Sequence, residues 1–367
     1  MIYLDNGATS FYKPLPVYEA VRNAMFTCAN PGRGGYSLSI HAGQQVLACR
    51  ERAGKLFTCD PEQVVFTGNC THGLNIAIKS VVKPGARVVV TGFEHNAVTR
   101  PLHALGAEII AAGQKLFDWS DTLSAWEKAL KKGADAAVFT HCSNVFGYIL
   151  PVQEMAWLCQ KYQVPFVIDA AQSAGVLPVS MAQLGADFIA MPGHKGLLGP
   201  QGTGILLCRN GGQPLISGGT GSNSILQEMP DFLPDRLEAG TLNVPGIAGL
   251  SEGLKYLLKK GTASILGKEH RQVKKCTICL QKMGLRVFSG EHQTGTVSFV
   301  PPMDCEDMAE ALAQKGIAVR SGLHCAPLAH KSAGTLDTGT VRISFGWDAC
   351  NFQTERLCKA VGEILKL

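Results

Sequence analysis

Runs of apolar residues with no polar alternation recur along the first two-thirds of the chain, at 64–66, 87–90, 136–139, 165–168, 188–190 and 204–207. Between most of them lie stretches with helical spacing, such as 123–132 and 153–162. Short unalternating runs separated by helices predict parallel strands buried on both faces. The expected fold class is therefore α/β, with a large domain built on a mainly parallel central sheet with helices on both faces. After about Gly246 the texture changes. Helices at 247–260 and 268–283, strand-like runs at 296–299, 317–320 and 341–345, and a closing helix after Asn351 predict a smaller α+β domain. The expected division is 15–246 for the large domain and 1–14 with 247–367 for the small one.

Composition narrows the class. At 367 residues the chain is long enough for two such units. Its 46% hydrophobic and 17% charged content fits a folded protein and excludes a disordered one. The net charge is only +5 and no basic tract stands out, so nucleic acid is not expected as a partner. No run approaches the ~18 apolar residues of a membrane span. The start Met1-Ile2-Tyr3-Leu4-Asp5 lacks the charged and apolar parts of a secretory leader, so a cytoplasmic protein is expected. There the 13 scattered cysteines predict reduced thiols. Cys276 and Cys279 form a C-x-x-C, but they read as helix positions without a second ligand pair, and no metal site is expected.

Candidate chemistry follows from the strands, because ligands of an open parallel sheet sit beyond its carboxyl ends. Behind residue 66 come Gly68, Asn69, Cys70, Thr71 and His72, opening a helix; behind 90 come Glu94, His95 and Asn96. His141, Ser143 and Asn144 follow 139, Asp169 and Gln172 follow 168, and Gly193-His194-Lys195 follows 190. One such residue would be an ordinary helix cap or an exposed side chain. Five consecutive strand ends, each with a polar or ionisable group at one rim, are not explained by capping. The types suit pyridoxal 5′-phosphate. That cofactor needs an amine for its aldehyde and a carboxylate to keep the pyridine nitrogen protonated, a helix N-terminus for its phosphate, and a flat group over its ring. Lys195 and Asp169 fall on neighbouring strand ends, separated by one crossover with its helix at about 180–186. The loop at Cys70 and Thr71 offers the phosphate site, His95 the stacking group, and Asn144 and Gln172 bonds to the phenolic oxygen.

The segments YLDNGAT (3–9), NPGRG (30–34), THGLN (71–75), EHN (94–96), SNVFG (143–147), DAAQSAG (169–175), GHK (193–195), EAGTLN (238–243) and RSGLHCA (320–326) span nearly the whole chain. In content and order they resemble the class V aminotransferase superfamily of fold-type I pyridoxal-phosphate enzymes, and specifically the cysteine desulfurases. The resemblance implies Lys195 as the Schiff-base lysine, Asp169 at the pyridine nitrogen and Gln172 at the phenolic oxygen. It implies His95 over the ring as an acid/base group, Thr71 and His194 at the phosphate with Cys70 in the same loop, and Asn144 near the substrate. Thr241 would reach the phosphate of a neighbouring subunit, giving a homodimer with shared active sites. Arg342 would clamp the substrate carboxylate, where a bidentate guanidinium suits better than lysine. Cys325, on a short R-x-G-x-H-C-A loop beside His324, would be the nucleophile. The sequence departs from the pattern at Asn69-Cys70, where threonine is frequent, at Pro192, where many relatives have serine, and at Tyr36, where histidine is frequent. Ser217 to Ser222 resembles a Gly-Gly-Thr-Gly variant of one subset.

Aminotransferases, epimerases, kynureninases and desulfurases share the cofactor core, so the core does not choose the reaction. Cys325 does. A thiolate there would take the substrate's sulfur as a persulfide and leave alanine. The expected activity is desulfuration of L-cysteine to L-alanine, with an unidentified protein as a sulfur acceptor. Selenocysteine cleavage is the nearest alternative, followed by aminotransferase or epimerase chemistry that would not need Cys325. A non-catalytic sulfur-binding partner would not need Lys195.

Overall fold

The computed structural model of the chain describes residues 1–32 and 34–366; Arg33, within one of the resembling segments, lies outside the described residues. Among the described residues seven strands form the central sheet, in the order Val64–Thr67, Gly204–Cys208, Phe188–Pro192, Phe166–Asp169, Ala136–Thr140, Arg87–Thr91 and Glu108–Ala112. Successive strand residues point to opposite faces, and an unalternating apolar run therefore supplies two cores at once. Phe66, Val89, Phe139, Ile168 and Ile189 enter the core on one face. Val65, Val88, Val138, Val167 and Ala190 enter the core on the other. Phe139 sits in the first, edge-on to Trp126 at 5.1 Å between centroids and stacked on Phe166 at 5.7 Å.

The sheet is mainly parallel, as the pattern predicts, with one strand reversed. Gly204–Cys208 pairs antiparallel with both Phe188–Pro192 and Val64–Thr67. The reason lies in its connection: 193–203 contains no helix, and a parallel neighbour would need a crossover. The edge strand Glu108–Ala112 is absent from the expected runs; only its last residue, Ala112, is buried. The crossover helix expected over 180–186 shrinks to Met181–Leu184, capped by Ser180 and ended by Gly185 in the left-handed region.

In the second unit Arg320–Gly322, Thr340–Ser344, Thr296–Val300 and Arg286–Phe288 make an antiparallel sheet. Helices Thr262–Lys282, Cys305–Gln314 and Asn351–Ile364 cover it through Cys276, Leu280, Met308, Leu312 and Leu357. The single run expected at 317–320 is two strands: Ile317–Ala318 pairs with Ile2–Tyr3, and the chain then turns to pair Arg320–Gly322 with Thr340–Ser344. Helix Val244–Lys260 runs across residue 246, and its Ile247, Leu250, Leu254 and Leu257 join the core of the large sheet. The expectation of reduced thiols has one exception. Cys279 and Cys358, on facing positions of the packed helices Thr262–Lys282 and Asn351–Ile364, form a disulfide with Cα atoms 6.3 Å apart; the other eleven cysteines are free. No described helix is long and apolar enough to cross a membrane.

Candidate active site

The carboxyl ends of the parallel strands face the second sheet across a cleft lined by Gly7, Gln172, Lys195, Ser344 and Trp347 among others. Lys195 follows strand Phe188–Pro192 by three residues, and no described residue makes a hydrogen bond or ion pair with its amine. Burial lowers its pKa, and the Arg342 charge adds to that against the opposing pull of Cys70 and Asp169. An unpaired amine pushed toward its neutral form is the state in which lysine attacks carbonyls.

Asp169 ends the neighbouring strand and is 3% exposed. Its Oδ1 accepts from the Ala171 amide at 2.8 Å and from the Cys70 thiol at 3.6 Å. Among the described residues none donates to its second oxygen. Burial raises its pKa, so this carboxylate calls for a cationic partner. Cys70 thus points inward to Asp169, and only its backbone amide is left for the helix end. That helix, Cys70–Val81, is capped by Asn69, whose Oδ1 accepts from the His72 amide at 2.9 Å. The amides of Cys70 and Thr71 have no intrahelical acceptor, and with the exposed Thr71 side chain they offer an anion site. His194 Nδ1 is buried without a partner, and burial drops this ring's pKa to about 4.

His95 caps helix Asn96–Ala104: its Nδ1 accepts from the Ala97 amide at 3.0 Å. Burial, then the Lys195 charge, push its pKa to about 4. The ring is therefore neutral near pH 7 with its proton on Nε2. Glu94, just before it, ties two strand ends together by accepting from Thr91 and from the Thr140 amide. Gln172 donates to the Gly7 carbonyl at 2.9 Å, which brings the N-terminal segment over the cleft.

Arg342, in strand Thr340–Ser344, is 1% exposed. It pairs with Asp5 at 2.5 Å and donates to the Asn144 carbonyl at 3.0 Å, while its Nε has no partner. A Cβ on Gly7 would lie 3.1 Å from the guanidinium carbon, so glycine is what lets the chain pass there. Asn144 donates from Nδ2 to the His324 carbonyl at 2.8 Å, and the Asn96 amide donates to the Cys325 carbonyl at 2.7 Å. Strand ends of the large sheet thus hold the Cys325 loop. His324 and Cys325 have φ of 51° and 56°, a left-handed pair that costs roughly 1–2 kcal/mol per residue. Cys325 itself is exposed. Thr241 is exposed on the loop before helix Val244–Lys260 and borders a groove with Gly68 and His72. That loop is anchored by Glu238, buried in a bidentate pair with Arg50.

Lys195 and Gln172 line the cleft; the charges of Asp169, Cys70 and Arg342 act on Lys195, that of Lys195 acts on His95, and Asn144 links Arg342 to the loop of His324 and Cys325. Sequence reasoning missed Asp5, which sits 337 positions from its partner Arg342. It also missed His330, whose only signal was a second histidine six residues after His324.

A lysine and a carboxylate on adjacent ends of such a sheet are the amine and the carboxylate that pyridoxal phosphate requires of an enzyme. The class-V aminotransferase profile matches residues 2–357. A probable cysteine desulfurase of Pyrococcus abyssi is 35% identical, over 94% of this chain and 89% of that protein. One of Methanothermobacter thermautotrophicus is 32% identical over 100% and 94%. The apo structure of the cysteine desulfurase of Thermococcus onnurineus superposes with a TM-score of 0.91 at 33% identity, covering 100% of this chain and 94% of that one. The chain belongs to the class-V aminotransferase family. Pyridoxal 5′-phosphate is that family's cofactor, and the residues here fit it: an unpaired amine, a buried carboxylate with one oxygen free, and a buried orphan nitrogen beside free helix-end amides.

Proposed function

We propose that the protein is a pyridoxal-phosphate-dependent cysteine desulfurase, converting L-cysteine to L-alanine and a persulfide on Cys325. The observation that carries this reading is the exposed Cys325 on a loop tied to Asn144 and to the Asn96 amide, which follow strands of the same sheet that carries Lys195. Bound cofactor supplies an electron sink for the pair released at the substrate's α-carbon. Lys195 would hold its aldehyde, Asp169 its pyridine nitrogen and Gln172 its phenolic oxygen. Thr71, His194 and the amides at Cys70 and Thr71 would bind the phosphate. His95, with its proton on Nε2, would stack on the ring and move a proton to or from the substrate. Arg342, pre-aligned by Asp5, takes the substrate carboxylate, and Asn144 orients the substrate. The pure protein should release equimolar alanine and sulfide from L-cysteine with a reductant present. Exchange of amino groups with a keto acid at a higher rate would replace this reading.

We further propose a homodimer with shared active sites. Helices Leu15–Thr27 and Ser37–Phe57 leave Leu15, Met25, Phe26, Leu38, Ile40 and Leu47 exposed, an apolar face of the kind that marks an interface. Leu47 shares a cavity wall with Thr241, so a partner seated on that face brings Thr241 to its cofactor phosphate. Sedimentation should give a dimer, and Ile40→Glu with Leu47→Glu an inactive monomer; a fully active monomer would refute the arrangement. A division into a large and a small unit, with the boundary expected at 246 moved past helix Val244–Lys260 because that helix packs into the large core, and a cytoplasmic setting belong to the same proposal.

A further inference from the structure

Three buried side chains behind Cys325 form a line. Thr335 Oγ1 lies 2.8 Å from His330 Nδ1, His330 Nε2 lies 3.4 Å from His324 Nδ1, and His324 Nε2 lies 3.3 Å from the Arg320 carbonyl oxygen. The two rings are nearly parallel, 7° apart with centroids at 5.7 Å. Each is at most 4% exposed, and Thr335 is 1% exposed.

With both rings neutral, the far end of the line fixes every proton in it. A carbonyl oxygen only accepts, so His324 Nε2 carries a hydrogen and donates. A neutral ring has one N–H, so His324 Nδ1 is a bare acceptor. His330 Nε2 must then donate to it, which leaves His330 Nδ1 bare and obliges the Thr335 hydroxyl to donate. For two neutral rings this is the one arrangement that makes all three bonds at once. Burial acts in that direction, lowering His324 to about 2 and His330 to about 4.

Both nitrogens of His324 are thus occupied, and its ring lies inside the fold. We propose that Thr335, His330 and His324 form a one-way hydrogen-bond chain that positions the Cys325 loop, and that His324 is not the base of Cys325 despite adjoining it in sequence. The inference rests on the reading of Cys325 as sulfur acceptor. The chain anchors the His324 side chain from one side, while Asn144 and the Asn96 amide hold the His324 and Cys325 carbonyls from the other. Held at both ends, two consecutive non-glycine residues keep their left-handed backbone. Among the described residues His330 and Thr335 make no hydrogen bond to the site residues assigned above, so they are positioning residues that act through His324.

Two measurements test this on the cofactor-loaded protein. In ¹⁵N-histidine correlation spectra, His324 and His330 should both be neutral with the proton on Nε2, from about pH 6 to 9. An Nδ1–H tautomer at either ring, or an imidazolium at His324, would overturn the chain, and this result does not depend on which reaction is catalysed. Thr335→Val, which removes the first donor at constant shape, should raise amide hydrogen exchange in peptide 320–326 about tenfold. It should slow persulfide formation on Cys325 by a similar factor, the scale of one buried hydrogen bond. KM for L-cysteine and the visible cofactor band should stay as in wild type, and Thr335→Ser should restore both rates. Wild-type exchange and persulfide formation in Thr335→Val would overturn the proposal. Should that variant not fold, failure of Thr335→Ser to behave as wild type would do the same. If the wild-type protein forms no persulfide at all, the functional reading falls, while the tautomers still decide the chain.

Discussion

Lys195→Ala should lower turnover of L-cysteine by at least about a thousandfold, ~4 kcal/mol of barrier, while the fold survives. The amine has no hydrogen-bond or ion-pair partner among the described residues, so removing it breaks no bond, although buried Asp169 loses the charge that offsets its desolvation. The pKa of the amine is lowered, chiefly by burial. The folded chain therefore binds fewer protons at this site than the unfolded chain, and stability rises with pH between the folded and the ordinary lysine values. Below that window the charged amine works against the fold. The cofactor-free variant should accordingly melt no lower than wild type at pH 7. Borohydride reduction of the loaded wild-type protein should fix the cofactor on the peptide containing Lys195. Recovery of the label on another lysine, or substantial turnover by the variant, would remove Lys195 from its role.

Much of this site was legible because strand ends are a local signal. Each of Asp169, His95, Asn144 and Lys195 lies within a few residues of a recognisable apolar run, and the rule for ligands of parallel sheets gathers them without any knowledge of packing. What escaped depends on pairing across long separations. A strand buried on both faces reads alike in either direction, so Gly204–Cys208 showed its reversed polarity only through the helix-free connection that precedes it. Asp5 carried no signal of its own partner, which is set by strand Ile2–Tyr3 docking beside Ile317–Ala318 and carrying it to Arg342. Cys70 read as a phosphate-loop residue, and only the third dimension turned its thiol toward Asp169. His324 is the sharpest instance. The sequence shows only that it adjoins Cys325; in the fold both of its ring nitrogens are taken, by His330 and by the Arg320 carbonyl.

Cys325→Ser should keep cofactor binding and lose sulfide release by at least about a hundredfold, ~2.7 kcal/mol. The side chain is exposed, so the replacement disturbs no core, and its backbone conformation is held by the neighbouring bonds rather than by sulfur. Chemistry supplies the large effect. In the proposed reaction the Cys325 thiolate attacks the substrate's sulfur; a sulfur–sulfur bond forms as the carbon–sulfur bond breaks. The electron pair left on the carbon skeleton takes up protons, and alanine departs. A serine hydroxyl is not ionised near pH 7 and forms no stable bond of this kind to sulfur, so the substrate's sulfur would have only water to receive it. Wild-type protein incubated with L-cysteine without reductant should gain one sulfur atom on the peptide containing Cys325, and the serine variant should gain none. The visible cofactor band and its response to added L-cysteine should remain in the variant, which separates loss of the acceptor from loss of the site. The assay must use cysteine itself, because the weaker carbon–selenium bond of selenocysteine can break without a thiol to receive the atom. If Cys325→Ser releases sulfide from L-cysteine at the wild-type rate, the acceptor role is lost and a β-lyase or aminotransferase reading of the same cleft takes its place.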